Sequence, residues 1–145
     1  MEHLTPPPGM PRLPGGGVFA VSEVLPIMAA ASRELEQRRQ ERKRLRDEAA
    51  EAKALARKTR ANLIVHLRVW GNEGTGGIPI KTSAERQEWA DADPEVQRTE
   101  LAADLAQTAA INAGDALEDA QAYFSSLSTM LATERDSMKA ERAGR

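Results

Sequence analysis

The sequence predicts an all-α protein: an antiparallel, coiled-coil-like helical hairpin with a Gly-rich connector and a short intervening helix, completed by self-association. Three observations carry this reading. Aromatic residues make up only 3% of the chain and Ala, Arg, Glu and Leu dominate, which leaves little from which to build a sheet. Two long stretches carry apolar residues at three-four spacing, the signature of a helix that buries one stripe. A cluster of glycines separates them. Much of the 41% hydrophobic content is Ala, so a single copy has a thin core, which predicts a homo-oligomer.

Residues 1–21 read as a disordered or extended arm. Pro6-Pro7-Pro8 and Gly15-Gly16-Gly17 do not sustain a helix or a strand. The helical hairpin domain is then 22–145. Ser22 is a candidate N-cap, with Ser32 as an alternative start, and Pro26 falls near the first turn, where a helix tolerates it. From there to Trp70 the spacing selects Met28, Ala31, Leu35, Arg38, Arg42, Leu45, Ala49, Ala52, Ala56, Thr59, Leu63, His66 and Trp70 as one seam. Its apolar end, Leu63 to Trp70, is expected to pack.

Residues 71–81 (GNEGTGGIPIK) form the connector. Thr82-Ser83-Ala84-Glu85 has the pattern of a capping box ahead of a short helix that carries Trp89. Asp93-Pro94-Glu95 restarts the helix with a cap, a proline at the first helical position and an acid in the first turn. The last helix has a predicted seam through Leu117, Ala120, Phe124, Leu127, Leu131 and Met138, with Leu101, Leu105 and Ile111 upstream. The residues singled out for the core or oligomer seam are Leu45, Leu63, Trp70, Leu117, Phe124, Leu127 and Leu131.

The sequence has no Cys, which removes disulfides, thiolate metal sites and a Cys nucleophile. His66 lies on the apolar seam with no second His four residues away, so it reads as a packed residue rather than a ligand. The glycine cluster lacks the Gly-Lys-Ser/Thr ending of a phosphate loop. Acid pairs such as Glu118-Asp119 lie on solvated faces, and no nucleophile, base and pocket assemble from these residues. The reading is therefore a non-enzyme without cofactor or metal. No run of 18 apolar residues is present and the N-terminus lacks a secretory pattern, which predicts a cytoplasmic protein that does not enter a membrane.

Charge is the most suggestive feature. Residues 33–68 hold 12 Lys/Arg and 6 Asp/Glu, whereas residues 81–145 hold 7 and 13. From Lys53 to Arg68 there is no acid at all. Lys53, Arg57, Lys58, Arg60 and Arg68 are the candidate contacts to a sugar-phosphate backbone, giving salt-sensitive, sequence-independent binding of single-stranded nucleic acid. The competing reading is a solvated helix face laced with pairs such as Glu34 and Arg38.

The order of features resembles one family. Lys58-Thr59-Arg60, the glycines between Gly71 and Gly77, Ser83-Ala84-Glu85 and Ala92-Asp93-Pro94-Glu95-Val96 follow one another as in the UvsY-type recombination mediators and related small helical proteins of phage recombination modules. The resemblance spans about residues 40–140. It implies an all-α oligomer that binds single-stranded DNA and assists a strand-exchange recombinase in a bacterial host cell, with Lys58 and Arg60 at the strand. The basic segment here lies a few helical turns further from the glycine loop, and the arm is additional. Two other classes fit the same pattern: a structural phage component for scaffolding or tail assembly, and a hairpin like the substrates of type VII secretion. The latter carry Trp-x-Gly where this chain has Trp70-Gly71, and their C-terminal Tyr-x-x-x-acid signal is missing because Leu127 stands four residues after Tyr123.

Overall fold

The computed structural model describes residues 5–13 and 21–144, except for the side chains of Val21 and Ser22. The described chain is helical throughout its ordered elements, with no strand. Helix α1 spans Val21–Val69, a short 3-10 turn covers Glu73–Thr75, α2 spans Ser83–Ala92 and α3 spans Pro94–Ala143. The long helices α1 and α3 pack against each other, which makes the chain a helical hairpin. The proposed Ser22 cap, and residues 1–4 and 14–20 of the arm, lie outside the described residues. Ser32 is an exposed residue within α1 and does not start it.

Local chemistry explains the starts of α2 and α3. The Thr82 hydroxyl oxygen accepts from the Glu85 amide at 3.4 Å, one half of the expected capping box. A carboxylate oxygen of Asp93 accepts from the amides of Glu95 and Val96, both at 3.0 Å, and Pro94 occupies the first helical position, where its missing N–H costs nothing. A complete capping box forms at the 3-10 turn instead. There the Asn72 side chain accepts from the Thr75 amide, and the Thr75 hydroxyl accepts from the Asn72 amide, each at 2.9 Å.

Two compact units divide the chain: a terminal unit of Met1–Arg42 with Asn112–Arg145, and a central unit of Lys43–Ile111. In the terminal unit the helices run antiparallel. The Arg38 guanidinium donates to the Ala116 carbonyl, and four residues further along α1 Arg42 reaches Gly114, two residues earlier on α3. Ala31 and Leu35 of α1 meet Leu117, Ala120, Tyr123 and Leu127 of α3, with Met28 and Phe124 packed alongside. Leu131 is also buried. Of the seam residues chosen from the sequence in this region, Leu117, Leu127 and Leu131 are buried within the chain and Phe124 is half-buried.

The arm does not behave as the sequence predicts. Residues 5–13 dock on the terminal unit, and Met10 joins its core. Pro7-Pro8-Gly9-Met10 is a β-turn closed by the Met10 amide on the Pro7 carbonyl at 3.1 Å. Gly9 takes a φ of 82°, as the third residue of a type II turn requires. The Tyr123 hydroxyl donates to the Pro11 carbonyl at 2.6 Å, and Arg38 donates to the Pro8 carbonyl.

In the central unit the buried stripe of α3 differs from the expected one. Leu101, Leu105 and Ile111 are exposed, while Val96, Thr99 and Ala110 are buried and Ala103, Ala106 and Ala109 are half-buried. The inward line of α3 reads Val96, Thr99, Ala103, Ala106, Ala110 and Ala113, continuing in the same three-four spacing to Leu117. Leu101 and Leu105 stand two residues out of that phase, about 200° away around the helix. Small residues inside let the backbones approach. The Thr99 hydroxyl is tolerated because it donates back to the carbonyls of Glu95 and Val96, each at 3.1 Å.

The end of α1 is corrected too. Leu67 is fully buried, whereas His66 is exposed and Trp70 is 68% exposed. A straight α-helix turns 3.6 residues per turn, so a heptad stripe drifts and takes an extra step of four. The inward line runs through Ala52, Ala56, Arg60, Leu63 and Leu67 and leaves the helix at Gly71, missing both His66 and Trp70. Gly71 has a φ of 69°, and a Cβ there would stand 2.2 Å from the Ile78 carbonyl oxygen. Ile80 then returns to the helix end, its amide donating to the Leu67 carbonyl at 2.9 Å.

Two predictions follow from this packing. Leu117→Ala is expected to cost about 2–5 kcal/mol in urea denaturation, as a buried leucine does, while Leu101→Ala in dilute protein stays within about 0.5 kcal/mol; equal losses at both positions would reverse the assigned phase of α3. Tyr123 is the single tyrosine, and burial pushes its hydroxyl above the ordinary value, with the Arg12 charge pulling it partly back. The native state therefore holds this proton more tightly than the unfolded chain. The contribution is intact below about pH 10, the ordinary phenol value, and falls as pH rises through it towards the native value. Ultraviolet titration of phenolate is expected to show a higher midpoint in native than in urea-unfolded protein.

Candidate nucleic-acid interface of the central unit

Four of the five candidate cations of α1 are exposed, and they do not share one face. Ala56, Arg60 and Leu67 mark the side turned towards the rest of the unit. Lys58 lies two residues from both Ala56 and Arg60, about 200° round the helix, and therefore on the opposite side. Lys53, Arg57 and Arg68 are separated by four and eleven residues, spacings that return near one bearing. They form one flank. Among the described residues no ion pair within 4.0 Å holds any of Lys53, Arg57, Lys58 or Arg68.

Arg60 is different. The drift of the buried stripe turns it inward, and it is the hub of a polar cluster. Its Nε donates to Glu100 at 2.6 Å, one terminal nitrogen to Gln87 at 2.8 Å and the other to Asp91 at 2.7 Å. Gln87 and Asp91 lie four apart on α2, so one face of that helix offers both. The two carboxylates, Glu100 first, hold the guanidinium even further above its ordinary range. Arg60 is spent on joining α1, α2 and α3, which removes it from the set of free cations.

Beside this cluster runs a shallow groove of about 290 Å³. Lys53, Arg57 and Arg60 line one wall and Glu100 and Asp104 the other, with Ala56 and Ala103 between them. Three cations against two acids leave the groove positive. Acids of α3 thus answer the basic helix at one point and leave most of it unpaired. Leu45 and Leu63, expected on the seam, are half-buried in this unit.

Trp70 and Trp89 have separate environments. Trp89 packs its ring against Gly74, where an added Cβ would come within 2.7 Å of it. Trp70 is exposed at the end of α1, two residues beyond Arg68, as an unoccupied aromatic surface. Sequence reasoning also missed Arg86, whose guanidinium donates to the carbonyls of Ile80 and Lys81 at 2.9 and 2.8 Å and ties down the segment before α2. The signal was present only as a lone cation after a helix cap.

No group of three or more His, Asp or Glu among the described residues is placed to hold a metal ion, and no described helix is long and apolar enough to cross a membrane. Comparison with protein-family models, curated proteins and solved structures finds no match. The resemblance to phage recombination mediators accordingly rests on the order of sequence features alone.

A double-mutant cycle of Arg60→Ala and Glu100→Ala is expected to give a coupling of about 0.5–1 kcal/mol that shrinks with added salt, because both groups keep contact with solvent. A coupling of zero in low salt would remove Arg60 from its assigned role as the link between helices.

Proposed function

We propose that this chain is a non-enzymatic accessory protein that binds single-stranded nucleic acid through the flank of Lys53, Arg57 and Arg68, in the recombination or replication setting that the family resemblance implies. The observation that carries the reading is that these cations remain exposed and, among the described residues, have no ion pair within 4.0 Å, although Glu100 and Asp104 line the same groove as Lys53 and Arg57. Phosphates approach the flank by charge alone, so binding is independent of base sequence and sensitive to salt. Trp70 adds one surface on which a base stacks. A few contacts per protomer give weak binding, which several copies on one strand, or a recombinase partner, strengthen by avidity. In this reading Arg60 positions the flank and does not touch the strand, so of the two residues implied by the resemblance only Lys58 stays free, on the opposite face.

A second reading is favoured by a separate observation. Leu55, Val65 and Val69 on α1, and Leu101, Leu105 and Ile111 on α3, are exposed apolar residues of the central unit. They fit a scaffold or assembly protein that associates through its outer helix faces.

Anisotropy of a fluorescent single-stranded oligonucleotide separates the two. Affinity is expected to fall with salt with a logarithmic slope of about −2, from three phosphate contacts at about 0.7 each. Lys53→Glu/Arg57→Glu is expected to abolish binding, and Lys58→Glu to weaken it far less. Absence of binding at low salt, together with concentration-dependent polymers, would favour the assembly reading.

A further inference from the structure

The terminal unit holds its own peptide. Residues 5–13 lie on the α1–α3 surface with no strand or helix pairing, and the contacts that hold them are those of peptide recognition. Two side chains anchor it: Met10 is 6% exposed and joins the cluster of Ala31, Leu35, Leu117, Ala120, Tyr123 and Leu127, and Leu13 packs against that cluster. A methionine suits such a site because it is unbranched and polarizable. Two side-chain donors then read the backbone on either side of Met10. Arg38 donates to the Pro8 carbonyl, and the Tyr123 hydroxyl donates to the Pro11 carbonyl at 2.6 Å. Proline-rich segments lack N–H donors and present their carbonyls outward, so donors are what a site for them needs.

Arg38 is fixed by Glu34 at 3.2 Å and by the Ala116 carbonyl at 3.3 Å, which aims its remaining nitrogen at the arm. Tyr123 is buried at its ring and polar only at its tip. The turn supplies the ligand's shape: Gly9 has a positive φ, and a Cβ there would come within 3.4 Å of Arg38.

We propose that this surface is a docking site for a turn-forming, proline-flanked methionine peptide presented by a partner protein, and that the chain's own residues 5–13 occupy it in cis. The arm is then a resident competitor. Because it belongs to the same chain it competes without dissociating into solution, so a partner's segment enters only where the arm is displaced or the partner binds elsewhere as well. This site lies in the terminal unit and stands independently of the nucleic-acid reading.

The probe is a fluorescently labelled peptide of residues 5–13, titrated by anisotropy into the full chain. Wild-type protein is expected to bind it at least tenfold more weakly than Met10→Asp, in which the arm cannot dock. Gly9→Val disrupts the turn without placing a charge near the core, and it is expected to open the site in the same way. Tyr123→Phe in the Gly9→Val background is expected to weaken the peptide several-fold, and a peptide carrying Asp in place of its methionine is expected not to bind. If Gly9→Val keeps its helical circular dichroism but fails to bind the peptide, the proposal is overturned. A wild-type dimer that Gly9→Val dissolves would assign the groove to the arm of a second copy and overturn the cis arrangement.

Discussion

The phase of the inward stripe on α3 is the constraint from which the rest follows. A helix of 50 residues with apolar side chains on two sides has to choose which side to bury. The line through Val96, Thr99, Ala103, Ala106 and Ala110 offers less apolar area than Leu101, Leu105 and Ile111. It is nevertheless the line that the central unit buries, with Val96, Thr99 and Ala110 inside. The consequence is a central unit with a lean interior and leucines outside.

A lean interior shifts the work of cohesion to polar contacts. Arg60 stands where the drifting stripe of α1 would otherwise present an apolar residue, and its planar guanidinium engages three partners from two helices at once. A lysine has no such geometry. The cluster also decides the electrostatics of the surface. It draws Glu100 and Asp91 onto a single cation, and the neighbouring cations of α1 stay unpaired. Arg60 thus links the helices of the unit, while among the described residues Lys53, Arg57 and Arg68 have no ion pair within 4.0 Å.

The terminal unit solves the same problem with the N-terminal segment. Ala31 and Ala120 belong to one buried cluster with Leu35, Leu117, Tyr123 and Leu127, and Met10 joins it from outside both helices. A third element thus covers a helix pair too narrow to exclude water alone. The segment is held by Met10 in the core, by Leu13 packed against it and by two side-chain donors to its carbonyls.

Much of this was legible along the chain. Proline, glycine and cap chemistry act within a turn or two, so the starts of α2 and α3 at Thr82 and Asp93, the break at Gly71, the seam from Met28 to Ala56 and the seam from Leu117 to Leu131 follow from the sequence by itself. The Pro7-Pro8-Gly9-Met10 turn is equally local, although a proline-rich arm reads first as disorder. Other features depend on partners far away in sequence. The burial of Ala103 rather than Leu105, the exposure of Trp70, the capture of Arg60 by a carboxylate 40 residues on and the hydrogen bond from Tyr123 to Pro11, 112 residues apart, were decided only by the tertiary structure. The reason is that periodicity specifies which residues share a face of a helix, whereas the face that is buried depends on what packs against it.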